Sequence, residues 1–213
     1  MSCTVTDNCP APLTWEPIRQ QNSVDTHRQK WPSMEGALTS FENSFDILAI
    51  QDWFNGNSHI PIGIAICYVA FVFFGPRLMK NQRPLRLKPL FASWNLLLSL
   101  FSVVGALRLI PALAASALFD PTRGLGYTMC AAPLQWVKQP EAVWVGLFVM
   151  SKVPELLDTV FLVVRKKPVI FLHWYHHTTV MLFCWHSLAT MSAPGIWFAS
   201  MNYCVHSIMY FYY

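Results

Sequence analysis

Charge is scarce in this sequence. Asp, Glu, Lys and Arg make up 12% of its 213 residues, while 54% are hydrophobic. That is about half the charge of an average soluble domain, and mean hydropathy is +0.35. So little charge excludes a disordered chain and argues against a soluble enzyme, which leaves an integral membrane protein. Cysteine supplies no framework either: Cys3, Cys9, Cys67, Cys130, Cys184 and Cys204 show no CxxC spacing, so neither a zinc ribbon nor a disulfide-stapled scaffold is indicated. Cys67, Cys184 and Cys204 fall inside apolar runs and read as core thiols. Met1 to Lys30 lacks the apolar core of roughly 7–15 residues that a signal peptide needs, and none is expected. The net charge of +4 does not point to nucleic acid, because the basic residues cluster beside apolar runs rather than on an amphipathic surface.

What is present is a series of long apolar runs. A membrane-spanning helix needs about 20 mostly apolar residues. Five stretches qualify: Ile60 to Phe74, Phe91 to Ile110, Ala142 to Val164, Val169 to Leu188, and one from Gly195 that is still running at Tyr213. With no strand signals, these predict an all-α, polytopic transmembrane helix bundle. Arg77, Lys80, Arg83, Arg86 and Lys88 follow the first run, and Arg165, Lys166 and Lys167 follow the third. The positive-inside rule makes both loops cytoplasmic and the N-terminus luminal. Residues 1–38 read as a polar extension without fixed structure and 58–213 as the membrane domain. Over 39–57, Phe41, Phe45, Leu48 and Phe54 recur at helical spacing with Ser40 as N-cap, which fits an interfacial helix or a packed loop segment. The last run reaches its end without a polar tail, so the chain is expected to be C-terminally truncated.

Within these runs sit polar groups that a bilayer makes expensive. Lys152, Glu155 and Asp158 lie in the third run, and unpaired they would cost on the order of 8–10 kcal/mol. With Thr159 they occupy an arc of roughly 120° on one helix face. Lys152 and Glu155 fit a structural ion pair, or part of a functional layer. The fourth run opens with His173, His176 and His177 on one face, and the fifth adds Asn202, His206, Tyr210 and Tyr212. Counted from the basic loops, Asp158 is about 10 Å deep, Lys152 about 20 Å and the histidines about 8–14 Å. One polar layer open to the cytosol follows.

Three motifs then match one family in order. Lys152-Val-Pro-Glu155-Leu-Leu-Asp158-Thr159, His173-Trp-Tyr-His176-His177 and His206-Ser-Ile-Met209-Tyr210-Phe-Tyr212-Tyr213 resemble the KxxExxDT, HxxHH and HxxMYxYY boxes of the ELO family, elongation-of-very-long-chain-fatty-acids proteins. The resemblance runs from about Phe41 to Tyr213. It implies a seven-helix endoplasmic-reticulum enzyme, of which five spans are present, that condenses acyl-CoA with malonyl-CoA to 3-oxoacyl-CoA, CoA and CO₂. The residues from Phe171 to Val180 are similar to the subgroup acting on saturated and monounsaturated chains. By this resemblance His176 attacks the acyl thioester, His206 transfers a proton or stabilises the enolate with Asn202 or Lys152 as donors, and His173 and His177 orient the others. Lys152, Glu155, Asp158, Arg165, Lys167, Asn202, Tyr210 and Tyr212 would form the substrate-binding set. Arg165 and Lys167 would meet the CoA phosphates at the cytosolic mouth. No cofactor or metal is implied, and no nucleic acid; the partners are the bilayer, the two CoA thioesters, the other enzymes of the elongation cycle and a second copy of the chain. Two rivals remain open: a di-iron desaturase or hydroxylase, which needs about eight imidazoles, and an inactive truncated membrane subunit.

Overall fold

A computed structural model describes residues 41–42, 44–119, 124–131, 133, 137 and 139–212. The expectations for residues 1–38, for Ser40 as a cap and for Tyr213 lie outside these. Among the described residues the fold is all-α. A short helix α1 (Ile47–Gly56) is followed by α2 (His59–Leu78), α3 (Lys88–Ala114) and α4 (Gly124–Cys130). Then come α5 (Gln139–Ser151), a 3₁₀ turn (Pro154–Leu156), α6 (Leu157–Val164), α7 (Phe171–Ala189) and α8 (Pro194–Tyr212).

Among the described residues, two helices are long and apolar enough to cross a membrane uninterrupted: α2 with 20 residues, and Lys88–Phe119 with 32, in which α3 runs on into a π-helical turn. The second span therefore passes through Pro111 instead of stopping before it. The third span also departs from expectation. It is not one helix from Ala142 to Val164 but α5 and α6, joined by the 3₁₀ turn. The cause is Pro154, which lacks an N–H for the carbonyl four residues back and crowds that carbonyl with its ring. The backbone tightens instead, with Lys152 N–H donating to the Val149 carbonyl and Leu156 N–H to that of Val153.

The polarity of the bundle is inverted relative to a soluble protein. Ile62, Ile66, Phe73, Leu97, Leu107, Val205, Ile208 and Phe211 are exposed, while Asn95, Ser99, Lys152, Glu155, Asp158, Thr159 and His206 are buried. Apolar surface outside and polar groups inside is what a lipid solvent selects. α3 lies along α8, α2 against α6 and α7, and α1 against α5 and α7. The crossing of α3 and α8 requires glycine: a Cβ on Gly105 would overlap the ring of Tyr203. The Tyr203 hydroxyl in turn donates to the Trp144 carbonyl on α5 at 3.0 Å.

Within residues 39–57, Phe41 and Glu42 are helical, and α1 begins at Ile47 with Asp46 as its cap, the carboxylate accepting from the N–H groups of Leu48 and Ala49. Ile47 and Phe54 are buried in the bundle core, and Trp185 Nε1 donates to the Phe54 carbonyl at 3.0 Å. Just before α1, Glu42 is wholly buried. It accepts from Arg108 Nη2 at 3.0 Å and Trp144 Nε1 at 2.7 Å, tying the entry segment to α3 and α5.

The two basic loops lie at one end of the bundle. Leu85 N–H donates to the Val164 carbonyl, and Lys166 Nζ donates to that of Lys80 at 3.0 Å. α6 ends in a Schellman turn, with Lys167 N–H on the Leu162 carbonyl, Lys166 N–H on that of Val163, and Lys166 left-handed at φ 54°. α7 ends the same way around Met191 at φ 48°. Of the cysteines expected in the core, Cys184 is buried and Cys204 half-buried, but Cys67 is exposed on the outer face of α2. It stands on a lipid-side stripe, where a thiol is as acceptable as any small apolar group.

Candidate functional site

The break in the third span builds the site. Had one straight helix continued, Lys152, Glu155 and Asp158 would form a single stripe; the 3₁₀ turn divides them into two adjoining clusters. In the first, Lys152 Nζ donates to Glu155 Oε1 at 2.7 Å, Glu155 Oε2 at 2.9 Å and Asn202 Oδ1 at 3.0 Å. All three ammonium protons are thus placed, and the same ammonium lies 4.2 Å from the ring centroid of Phe148. Ser151 Oγ is 2.9 Å from Glu155 Oε1, and His206 Nδ1 is 3.8 Å from Glu155 Oε2. Lys152, Glu155 and His206 are all buried. The ion pair expected between Lys152 and Glu155 is present, and it carries Asn202 and His206 of α8 with it.

In the second cluster the carboxylate of Asp158 accepts from Trp94 Nε1 at 2.8 Å and from the Tyr210 hydroxyl at 2.7 Å. Thr159, with no exposed surface, has its hydroxyl 2.7 Å from that of Tyr68 and 3.0 Å from His173 Nε2. His173 and His177 are half-buried, their ring centroids 4.5 Å apart. Every one of the five spans contributes a polar group to this layer.

The histidine box is not arranged as expected. His173 and His177 turn toward the layer, but His176 is exposed, with its ring centroid 5.9 Å from that of His177. The three positions spread over about 100° of helix, and with His173 drawn to Thr159 the arc runs out of the bundle at His176. Tyr210 joins the site through Asp158, whereas Tyr212 on the opposite side of the last turn is 84% exposed. Arg165 lies at the basic end with its guanidinium 4.7 Å from the Phe91 ring centroid, and Lys167 is exposed beside it. Neither reaches the buried clusters. Among the described residues, no three His, Cys, Asp or Glu side chains converge as a metal-holding group.

Tyr68, Trp94 and Ser151 belong to the site and carry no motif signal. Tyrosine, tryptophan and serine are ordinary in membrane helices; only the cost of leaving Asp158 and Thr159 without partners could have called for such donors.

Phe148 also borders a small apolar cavity of about 40 Å³ between α5, α7 and α8, lined further by Val149, Phe183, Cys184, Leu188, Ile196 and Phe198. It brings a hydrophobic volume to within one aromatic ring of the buried ammonium.

Comparison with known families matches residues 53–213 to the ELO, GNS1/SUR4 family. The chain is similar to "Fatty acid elongase 3" of Trypanosoma cruzi, at 42% identity over 77% of this chain and 62% of that relative. It is similar to "Very long chain fatty acid elongase 4" of the same organism, at 46% identity over 75% of this chain and 55% of the relative. "Very long chain fatty acid elongase 6" of Gallus gallus is 38% identical over 81% of this chain and 64% of its own length. The chain thus spans roughly three-fifths of the curated relatives it matches.

Proposed function

Since the chain belongs to the GNS1/SUR4 (ELO) family, we propose that its polar layer is the condensing site of fatty-acid elongation: acyl-CoA and malonyl-CoA give 3-oxoacyl-CoA, CoA and CO₂. The observation that carries the reading is the closure of Lys152, Glu155 and Asn202 into one hydrogen-bonded group, with His206 Nδ1 3.8 Å from the Glu155 carboxylate, beside the histidine box. Such a group supplies fixed protons and charge where an enolate would form.

The acyl thioester is attacked by His176, whose ring makes no hydrogen bond among the described residues and is open to an incoming chain. An N–C bond forms to the acyl carbon, the C–S bond breaks, and CoA leaves as the thiol after taking the imidazole proton. Malonyl-CoA then loses CO₂, and the electron pair of the broken C–C bond becomes the enolate carbon; this forms a C–C bond to the acyl carbon as the N–C bond to His176 breaks, and the released imidazole nitrogen takes up a proton from water. The positive charge of Lys152, held in place by Glu155 and Asn202, stabilises the enolate, and His206 orients the thioester. Arg165 and Lys167 bind CoA phosphates at the basic end, which faces the cytosol of an endoplasmic-reticulum membrane with the N-terminus luminal. The 3-oxoacyl-CoA passes to the other enzymes of the elongation cycle.

The test is a two-stage assay on purified protein. With acyl-CoA alone, one equivalent of CoA is expected in a burst, with one acyl group mapped by mass spectrometry to His176. Added malonyl-CoA then discharges it with release of CO₂. Acylation that persists in His176→Ala overturns the assignment of the nucleophile, and turnover that follows bound iron overturns the reaction.

A further inference from the structure

α2 contributes no residue to the three motifs, yet it is wired to the histidine box. We infer that Tyr68 is a positioning residue that, acting through Thr159, holds the His173 ring in one orientation and one tautomer, with the proton on Nδ1 and the lone pair on Nε2. As a statement about catalysis this rests on the condensing reaction proposed above; as a statement about the tautomer it does not.

Where each proton can go decides the tautomer. Tyr68 is 6% exposed and stands among Ala65, Val72, Leu156 and Met181, an apolar setting that leaves its hydroxyl proton few acceptors. Thr159 Oγ1, at 2.7 Å, is the acceptor present among the described residues. A buried O–H without an acceptor is costly, so the phenol donates to Thr159. Thr159 has no exposed surface and has one proton of its own. With Tyr68 donating to it, that proton is directed at its other neighbour, His173 Nε2, at 3.0 Å. Nε2 is then an acceptor, and the neutral ring carries its proton on Nδ1. The reverse order, with Nε2–H donating to Thr159 and Thr159 to the phenol, strands the phenol proton in the apolar cluster.

The effect reaches further than one ring. His173 packs at 4.5 Å against His177, which lies 5.9 Å from His176, so the orientation set by Tyr68 passes along the box by ring contact. Tyr68 thus couples the peripheral helix α2 to the histidines of α7 through α6. A phenylalanine at position 68 keeps the ring and removes only the hydroxyl.

The experiment is nitrogen NMR on the purified chain in detergent with isotope-labelled histidine, the His173 signals identified by their loss in His173→Gln. Wild type is expected to show Nε2 unprotonated. Tyr68→Phe is expected to lower the ratio of the two tautomers about fivefold. Thr159→Val should do the same, and Thr159→Ser, which restores the hydroxyl, should return the wild-type ratio. Condensation by Tyr68→Phe should fall on the order of tenfold in kcat with KM unchanged. A wild-type His173 carrying its proton on Nε2 overturns the inference, and so does a ratio that Tyr68→Phe leaves unmoved. Absence of condensation in the wild type overturns the reaction instead, since the tautomer is read without turnover.

Discussion

At the scale of single residues, the third span shows how a membrane protein keeps charge in its interior. Lys152 and Glu155 are expensive apart and tolerable together, because each satisfies the other and Asn202 takes the remaining proton. Replacing Lys152 with Met leaves a buried carboxylate unpaired and should cost about 3–5 kcal/mol. The double variant Lys152→Met with Glu155→Leu should recover most of that loss, and thermal unfolding in detergent checks the cycle. A double variant less stable than either single one would contradict the pairing. Asp158→Leu should destabilise by about 1–3 kcal/mol for each of the two donors it strands, Trp94 Nε1 and the Tyr210 hydroxyl. The charged half of this site was legible from sequence because ionised groups in apolar runs demand an explanation. Its neutral partners, Tyr68, Trp94 and Ser151, were not, since a lone aromatic or hydroxyl residue in such a run demands none. The outward turn of His176 was illegible for another reason. A 100° arc can be drawn inward from sequence alone, but which edge of it leaves the bundle depends on which histidine Thr159 captures.

At the scale of elements, most helices were readable and their interruptions were not. Proline was the visible signal in each case, with opposite outcomes. Pro154 breaks the third span, whereas Pro111 is carried inside α3. The two prolines differ in their surroundings: just before Pro154, Ser151 Oγ bonds the Phe148 carbonyl, and the side chains of Ser151 and Lys152 both bond Glu155 across the turn. Pro154→Ala should straighten the junction of α5 and α6, raising helix content while pulling Lys152 from Asn202. Condensation should fall about tenfold or more, since misplacement by an ångström is costly; circular dichroism and activity measured on the same preparation check it. The helix ends were hidden because their left-handed caps are lysine and methionine instead of glycine. Lys166→Gly relieves that backbone and should stabilise the protein by about 0.5–1 kcal/mol, read as a higher unfolding midpoint. Gly105→Ala should do the opposite, by about 1–3 kcal/mol, because the Tyr203 ring occupies the space a methyl group needs.

At the scale of the whole molecule, the five runs, the all-α class and the grouping of both basic loops at one end were legible, because the bilayer imposes length and satisfaction on every span. Cysteines engineered near Arg83 and beside Lys166 should accordingly react with an impermeant thiol reagent from the same side of the membrane, and labelling from opposite sides would contradict the bond between Lys166 and the Lys80 carbonyl. What sequence could not give was the burial of Glu42, which precedes every span and is partnered 66 residues on by Arg108 and 102 residues on by Trp144. That separation has a consequence in time. During synthesis the carboxylate must wait in water while α2 and α3 enter the bilayer, and its second donor does not exist until the third span has emerged. The entry segment therefore closes as a latch on an assembly already inserted, so nascent chains halted before Trp144 should be cut by protease near Glu42, and chains halted well beyond it should be spared.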